Sequence, residues 1–265
     1  MILAEFDPSK TAVINPCDVV DRIDGFPETL ICVFSHVLFG QLISFLEGRE
    51  IAQYRNADGV WPVYEAVYRG RRFAFAKARL GAAACVGSLE DCIALGAKRI
   101  ILLGNCGVLD RSIGDCGIIM PTGAIRDEGT SFHYAPAADW IEVNRSHRAL
   151  FRRMLAELGY SCAEGTTWTT DAFYRETPDK VRKRKEMGAV CVEMEGAAVQ
   201  ALCDFRGVDF FQFFYAGDNL DNPQWDPRSL SNHARLDEKQ KIALLAVELA
   251  YRIETEQECP GAEEK

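Results

Sequence analysis

The stretch Val192-Glu193-Met194-Glu195-Gly196-Ala197-Ala198 joins two segments of opposite pattern. Residues 189–192 (AVCV) form a short apolar run, which is typical of a buried strand. Residues 197–203 (AAVQALC) have the composition of a helix, and their small side chains let that helix lie close to a neighbour. The stretch therefore predicts a strand-to-helix junction, the local unit from which α/β folds are built.

Two carboxylates, Glu193 and Glu195, fall at this junction. The free amides of a helix N-terminus favour negative charge, so one interpretation is that both are ordinary first-turn acids. A carboxylate also accepts two hydrogen bonds side by side, which suits a vicinal diol such as the 2′ and 3′ hydroxyls of ribose. The local pattern alone leaves both interpretations open.

Strand-like and helix-like patterns alternate along the rest of the chain. The predicted strands lie at residues 29–34, 63–68, 72–77, 98–104, 116–121, 166–170 and 209–215, with a turn at 105–107. The predicted helices lie at residues 36–46, 81–95, 147–158, 177–187 and 234–253. This alternation predicts a layered α/β fold with a largely buried central sheet. No linker divides the chain, so we expect one domain over residues 1–265, with an irregular lead-in at 1–28 and a disordered polar tail at 255–265.

The composition excludes several classes of protein. At 265 residues, with 48% hydrophobic and 26% charged residues, the chain has the make-up of a globular protein. Its net charge of -9 leaves no basic surplus for binding nucleic acid. No apolar stretch is long enough to span a membrane, and the N-terminus lacks the basic and apolar regions of a signal peptide. We therefore expect neither nucleic acid nor a membrane as a partner.

The ten cysteines and four histidines show no metal-binding spacing. No two cysteines have the C-x-x-C spacing, and most cysteines lie within apolar runs. This usage is typical of free, buried thiols in a reducing compartment. We therefore predict no metal site and a cytoplasmic location.

Polar residues lie at the ends of four predicted strands. They are Asn105, Thr170 with Asp171, Glu193 with Glu195, and Asp218 with Asn219. Buried strands of α/β folds bring their carboxyl ends to one side of the sheet, where ligands usually bind. This convergence predicts one ligand site and favours the diol interpretation of the two glutamates.

Four segments, in this order, resemble the nucleoside phosphorylase family, which includes uridine phosphorylase and hexameric purine nucleoside phosphorylase. They are residues 104–107 (GNCG), 124–131 (AIRDEGTS), 169–174 (TTDAFY) and 192–198 (VEMEGAA). The resemblance implies a three-layer α/β/α fold whose central mixed β-sheet is partly barrel-like. It also implies cleavage of the N-glycosidic bond of a nucleoside, phosphate as the acceptor, no cofactor, and a homo-oligomer that is a dimer or a hexamer.

The resemblance also implies roles for single residues. Glu195 would bind the ribose 2′ and 3′ hydroxyls, with Met194 under the sugar and Glu193 supporting the same site. Phe173 would lie against the base. Asp218 would be the catalytic acid, which protonates a purine at N7 as the glycosidic bond breaks.

Further positions match the family's pocket with less definite roles. Asn105, Cys106 and Gly107 match the turn that faces the ribose and the incoming nucleophile. Arg126 and Arg175 match positions near the pocket, and an ion pair with a neighbouring acid is an equally open interpretation of Arg126. The choice of base stays open, because Asp218 indicates a purine whereas residues 169–177 (TTDAFYRET) are more similar to the uridine phosphorylase branch.

The resemblance is incomplete where the family binds phosphate. Family members have an arginine in the segment after the first strand and another just before the GNCG segment, and Phe39 and Leu102 stand at these positions here. A dianion is poorly stabilised in a confined site without such cations. The remaining candidates for a phosphate or water site are Ser35, His36, Arg55 and Arg79. Two alternatives to phosphorolysis therefore stay open: hydrolysis by water, as in the family's nucleosidases, and a non-catalytic protein that binds a nucleoside.

Overall fold

The strands of the structure follow the apolar runs of the sequence. The computed structural model describes residues 2–230 and 233–258. Its strands are β1 (Thr29–Val33), β2 (Arg49–Asn56), β3 (Gly59–Tyr68), β4 (Arg71–Lys77), β5 (Arg99–Val108), β6 (Ile118–Asp127), β7 (Trp140–Glu142), β8 (Cys162–Thr170), β9 (Ala189–Glu193) and β10 (Asp209–Asn219). Its helices are α1 (His36–Phe45), α2 (Ala82–Leu95), α3 (Arg148–Glu157), α4 (Pro178–Glu186), α5 (Gly196–Arg206) and α6 (Leu236–Glu258).

Five of the strands close into a ring. β5 pairs in parallel with β10, β10 pairs antiparallel with β6, and β6 and β8 continue in parallel to β9. The ring closes where β9 returns to β5 in an antiparallel pairing of Val192 with Gly107. Strands β1, β4, β3 and β2 extend the sheet from the other edge of β5. The sheet is therefore mixed and partly barrel-like, as the resemblance implied.

Helices cover both faces of this sheet. Ile101 and Leu103 of β5 pack into a core with α1, α3 and α6. Ile100 and Leu102, which alternate with them, pack into a second core with α2 and α5. A strand that is buried on both faces needs an unbroken apolar run, which explains the pattern at residues 98–104. The three-layer α/β/α prediction is confirmed.

The observed strands differ from the predicted strands mainly in length. β5 continues through residues 105–107, which we predicted as a turn, because these residues pair with both β10 and β9. β10 likewise continues to Asn219. Strand β2 was not predicted from the sequence. It lies at the edge of the sheet and has one buried residue, Tyr54, so it lacks an apolar run. Strand β7, which has only three residues, was not predicted either.

The two ends of the described chain are partly ordered. The lead-in contains two short 3₁₀ turns, Ile2–Ala4 and Pro16–Asp18, in otherwise irregular backbone. α6 continues through residues 255–258, which we predicted as part of a polar tail. The rest of that predicted tail, residues 259–265, lies outside the described residues.

None of the helices in the described ranges combines the length and the apolar character needed to cross a membrane. Nine cysteines fall within these ranges, and all nine are free thiols. No cluster of three or more His, Cys, Asp or Glu side chains in the described chain is arranged to hold a metal ion.

Candidate active site

A cleft of about 1400 Å³ opens where the carboxyl ends of β5 and β10 meet the junction between β9 and α5. It is lined by eight of the residues that the sequence singled out: Asn105, Cys106, Gly107, Phe173, Glu193, Met194, Glu195 and Asp218. Three of the four predicted strand ends therefore meet at this cleft, whereas Thr170 and Asp171, at the end of β8, and Asn219 do not line it. Asn105 is solvent-exposed although its neighbours in β5 are buried, because its side chain faces this cleft.

Glu193 uses both of its carboxylate oxygens inside the protein. Its Oε2 accepts hydrogen bonds from the backbone N–H groups of Glu195, at 2.7 Å, and Gly196, at 2.6 Å. Its Oε1 accepts from the hydroxyls of Thr169, at 2.5 Å, and Thr167, at 3.3 Å. Burial raises the pKa of Glu193, and these four hydrogen bonds act in the opposite direction. Glu193 thus fixes the start of α5 and ties it to β8.

Glu195 is equally buried but makes fewer hydrogen bonds. Its Oε1 accepts from the backbone N–H of Gly81, at 2.5 Å, just before α2 begins. Gly81 has a φ of +88°, a conformation that favours glycine. Burial, reinforced by the charge of Glu193, raises the pKa of Glu195 to about 8. A carboxylate offers about four acceptor sites, so Glu195 keeps capacity for the hydroxyls of a ligand, whereas Glu193 has little left.

An aromatic pair and an acid line another part of the cleft. Phe173 and Tyr174 lie in a short 3₁₀ turn after β8, with ring centroids 4.2 Å apart. Asp218 lies near the end of β10, and its Oδ2 accepts a hydrogen bond from the indole N–H of Trp225 at 2.7 Å. This bond fixes the Asp218 carboxyl group and leaves its Oδ1 for other partners. Phe173 can therefore lie against a flat base while Asp218 meets a polar edge.

Gly107 and Cys106 shape the floor of the cleft. A Cβ atom on Gly107 would lie 2.5 Å from Cδ1 of Leu220 and 3.2 Å from Oδ1 of Asp218, so only glycine leaves this approach open. Cys106 is buried, and burial raises the pKa of its thiol well above the ordinary range. A thiol of this kind is structural rather than reactive.

The two arginines near the predicted pocket do not line the cleft. Arg126 is buried, donates hydrogen bonds to Ser131 Oγ at 2.8 Å and to the Pro136 carbonyl at 2.7 Å, and lies over the ring of Phe132. Arg126 thus uses these donors to hold the segment after β6. The sequence had left open an ion pair between Arg126 and a neighbouring acid. Arg175 is exposed on the turn that carries Phe173.

The candidates for a phosphate or water site also lie outside the cleft. Ser35 caps the N-terminus of α1 by accepting from the Leu38 N–H, and His36 lies beside it at the start of that helix. Arg55 is exposed on the edge strand β2. Arg79 forms an ion pair with Asp58 and stacks on Trp61 at 4.4 Å.

The positions of the family's two arginines hold apolar side chains that are sealed in the protein core. Leu102 is fully buried in the core with α2 and α5. Phe39 is buried on the opposite face, with its ring 5.9 Å from that of Tyr64.

Three groups that were not among the predicted site residues help build the site. Glu176 lines the cleft between the Phe173 turn and α4, where burial and the charge of Asp218 raise its pKa to about 7. The amide of Gly81 and the indole of Trp225 hold Glu195 and Asp218 in place. Of these, only Glu176 could have been found from the sequence. It lies in residues 173–178 (FYRETP), between the aromatic pair predicted to contact the base and the Thr-Pro pair that predicts the start of a helix.

Comparisons with known proteins show which family the chain belongs to. The family model described as the phosphorylase superfamily matches residues 46–253, which is most of the chain. The chain belongs to the phosphorylase superfamily. The DeoD-type purine nucleoside phosphorylases of Bacillus thuringiensis (strain Al Hakam) and Bacillus mycoides (strain KBAB4) are each 26% identical to it over 184 residues, which cover 67% of this chain and 75% of theirs.

A solved structure shares the fold of this superfamily member. The purine nucleoside phosphorylase of Toxoplasma gondii, in complex with immucillin-H, aligns with a TM-score of 0.71 and 19% sequence identity. The alignment covers 84% of this chain and 89% of that one.

Proposed function

We propose that this protein cleaves the N-glycosidic bond of a purine ribonucleoside with orthophosphate as the acceptor, as a pentosyltransferase of the nucleoside phosphorylase type. One observation carries the proposal: Glu195, Phe173 and Asp218 line one cleft. Glu195 supplies a carboxyl group for the ribose diol, Phe173 a flat ring for the base, and Asp218 an acid for the polar edge of the base. The names of the Bacillus relatives support a purine.

The chemistry follows from these groups. When the bond between C1′ and N9 breaks, its electron pair stays on the base and positive charge develops on the ribosyl ring. Asp218 gives a proton to N7, which makes the base a better leaving group. Hydroxyl donors favour the charged form of a carboxyl group, so Glu195 becomes ionised when the 2′ and 3′ hydroxyls donate to it, and it then stabilises the oxocarbenium-like transition state. A phosphate oxygen then bonds to C1′, and the products are the free base and ribose 1-phosphate.

Product analysis tests the proposal. The protein is incubated with adenosine, inosine or uridine, with and without orthophosphate, and the released base and sugar are identified. We expect a purine base and ribose 1-phosphate, formed only when phosphate is present. Equal rates without phosphate would exclude phosphorolysis. If a nucleoside binds but no base is released under either condition, the protein is a non-catalytic nucleoside binder.

A second candidate function is hydrolysis, with water as the nucleophile. It is favoured by the burial of Leu102 and Phe39 at the positions of the family's arginines. It is favoured also because Arg79 is ion-paired with Asp58 and does not line the cleft, so it is not available to bind phosphate there. The cations that do line the cleft, Arg111, Arg182 and Lys185, are ion-paired with acids, so a dianion there would have to compete with those acids. Release of free ribose in phosphate-free buffer would identify this reaction.

We also propose that the chain forms one domain and assembles into a homo-oligomer, either a dimer or a hexamer. Leu80, Tyr174 and Trp225 support assembly, because they are exposed apolar side chains at the cleft and a second copy would cover them. Light scattering should give a mass of at least twice the 29.6 kDa of the chain. The free thiols support a cytoplasmic location.

A further inference from the structure

Glu176 is a carboxyl group in the cleft that the proposed reaction does not use. It lies between the 3₁₀ turn Phe173–Arg175 and Thr177, whose hydroxyl caps α4, so the backbone on both sides is fixed. Its side chain is half-buried and lines the cleft. Within residues 2–230 and 233–258, no group is hydrogen-bonded to or ion-paired with its carboxyl oxygens.

The other acids of the cleft have partners in the protein. Glu193 accepts four hydrogen bonds, and Glu195 accepts one from Gly81. Asp221 is ion-paired with Lys185 and Arg111. A half-buried carboxyl group without a partner is costly to keep, because its lost contacts with water are not replaced. A ligand that supplies hydrogen-bond donors would remove this cost.

Asp218 is the charged neighbour of Glu176. Trp225 holds the Oδ2 of Asp218, and its Oδ1 lies 3.2 Å from the place where a Cβ on Gly107 would stand, so it faces the floor of the cleft. The charge of Asp218 adds to burial in raising the pKa of Glu176 to about 7. The two carboxyl groups therefore offer several acceptor oxygens to a ligand, together with the proton that Asp218 gives to N7 in the proposed reaction.

The edge of a 6-aminopurine complements this arrangement. It presents an acceptor, N7, beside a donor, the 6-amino group. A 6-oxopurine presents two acceptors, N7 and O6, and the oxygen would face an ionised carboxylate. With Asp218 at N7, Glu176 is the carboxyl group of the same cleft, within the described residues, that has no protein partner and can accept from the amino group.

We propose that Glu176 is a specificity-determining residue that selects nucleosides of 6-aminopurines over those of 6-oxopurines. The inference rests on the proposed function, because it takes the base to lie between Phe173 and Asp218. The geometry that carries it is the unpartnered carboxyl group of Glu176 beside Asp218 in the cleft, within the part of the chain that the structure describes.

The test compares adenosine with inosine in three proteins: the wild type, Glu176→Gln and the control Asp179→Asn. Asp179 is an exposed carboxyl three residues away, is paired with Arg182 and does not line the cleft. For each protein, kcat/KM and the dissociation constant from calorimetry are measured for both nucleosides. The wild type should favour adenosine at least tenfold. In Glu176→Gln that ratio should fall about tenfold, because an amide can also donate to O6, and in Asp179→Asn it should stay unchanged.

The outcomes separate the inference from the proposed function. If the wild type cleaves nucleosides but Glu176→Gln keeps the wild-type ratio, the inference is overturned and the function stands. A wild-type preference for inosine also overturns the inference. If neither nucleoside is cleaved but adenosine binds more tightly than inosine and Glu176→Gln removes that difference, the inference stands and the proposed function fails.

Discussion

Glu193 and Glu195 are two residues apart, and we expect their replacement to damage different properties. Glu193→Ala removes the acceptor for two N–H groups at the start of α5. Each buried N–H left without an acceptor costs about 1–3 kcal/mol, so the two cost about 2–6 kcal/mol. Part of this is offset because a buried charge is also removed. The free energy of unfolding should therefore fall by about 3 kcal/mol, which lowers the Tm of a chain of this size by about 6–12 °C.

Glu195→Gln should leave the fold almost unchanged and impair the reaction. The amide oxygen can still accept from the Gly81 N–H, so the free energy of unfolding near pH 5, where the raised pKa of Glu195 costs little, should change by about 1 kcal/mol or less. The two hydrogen bonds to the ribose hydroxyls would lose their charge, which costs about 1.5 kcal/mol each. Because about 1.4 kcal/mol is a factor of ten, kcat/KM should fall by about 100-fold.

Thermal unfolding and steady-state kinetics of both variants provide the assay. Glu193→Gln serves as a matched control, because its carbonyl oxygen can still face both N–H groups while its amide nitrogen faces the Thr169 hydroxyl. It should lose about 1 kcal/mol and keep more activity per folded molecule than Glu195→Gln. If Glu195→Gln lowered the Tm as much as Glu193→Ala, or kept wild-type kcat/KM, the assignment of the two roles would be refuted.

Two further predictions concern protons. The pKa of Glu195 is raised from 4.5 to about 8, so the folded state holds a proton that the unfolded state has released, and the free energy of unfolding should fall as the pH rises from about 5 to about 8. Urea unfolding at several pH values should show a shallower fall in Glu195→Gln, and equal slopes would contradict the burial argument. Asp218→Asn can keep the hydrogen bond from Trp225 through its side-chain oxygen, so it should fold normally but lose about 100-fold or more in kcat. Unchanged turnover with a purine nucleoside would show that another group protonates the base.

The sequence predicted the layers of the fold well because burial determines both the pattern and the structure. The run at residues 98–104 is apolar throughout most of its length because β5 is buried on both faces. Edge strand β2 gave no such signal, since most of its side chains are exposed. The lengths of β5 and β10 were underestimated because polar residues and glycines at their ends pair within the closed ring. That closure is a contact between distant segments, and local patterns do not reveal it.

How well a site residue could be predicted depends on whether its contacts are near it in the sequence. The motif at residues 192–198 was recognisable because Glu193 contacts the backbone only two and three residues ahead. Glu195 and Asp218 instead depend on Gly81 and on Trp225, and sequence spacing does not show which groups they meet. For Arg126 the family motif was misleading. Arg126 matches that motif, but its hydrogen-bond donors hold the segment that follows β6 and do not face the cleft.

The acceptor side of the cleft follows from the same physical reasoning. An arginine at position 102 would bury its charge among the apolar side chains of the core with α2 and α5, so Leu102→Arg alone would destabilise the fold rather than rebuild a phosphate site. Phe39 is enclosed in the same way on the other face. A cation for phosphate therefore has to come from other positions, and Arg111, Arg182 and Lys185 do line the cleft. All three are ion-paired with acids, Arg111 and Lys185 with Asp221 and Arg182 with Asp179 and Glu186, so a phosphate in the cleft would have to compete with those acids.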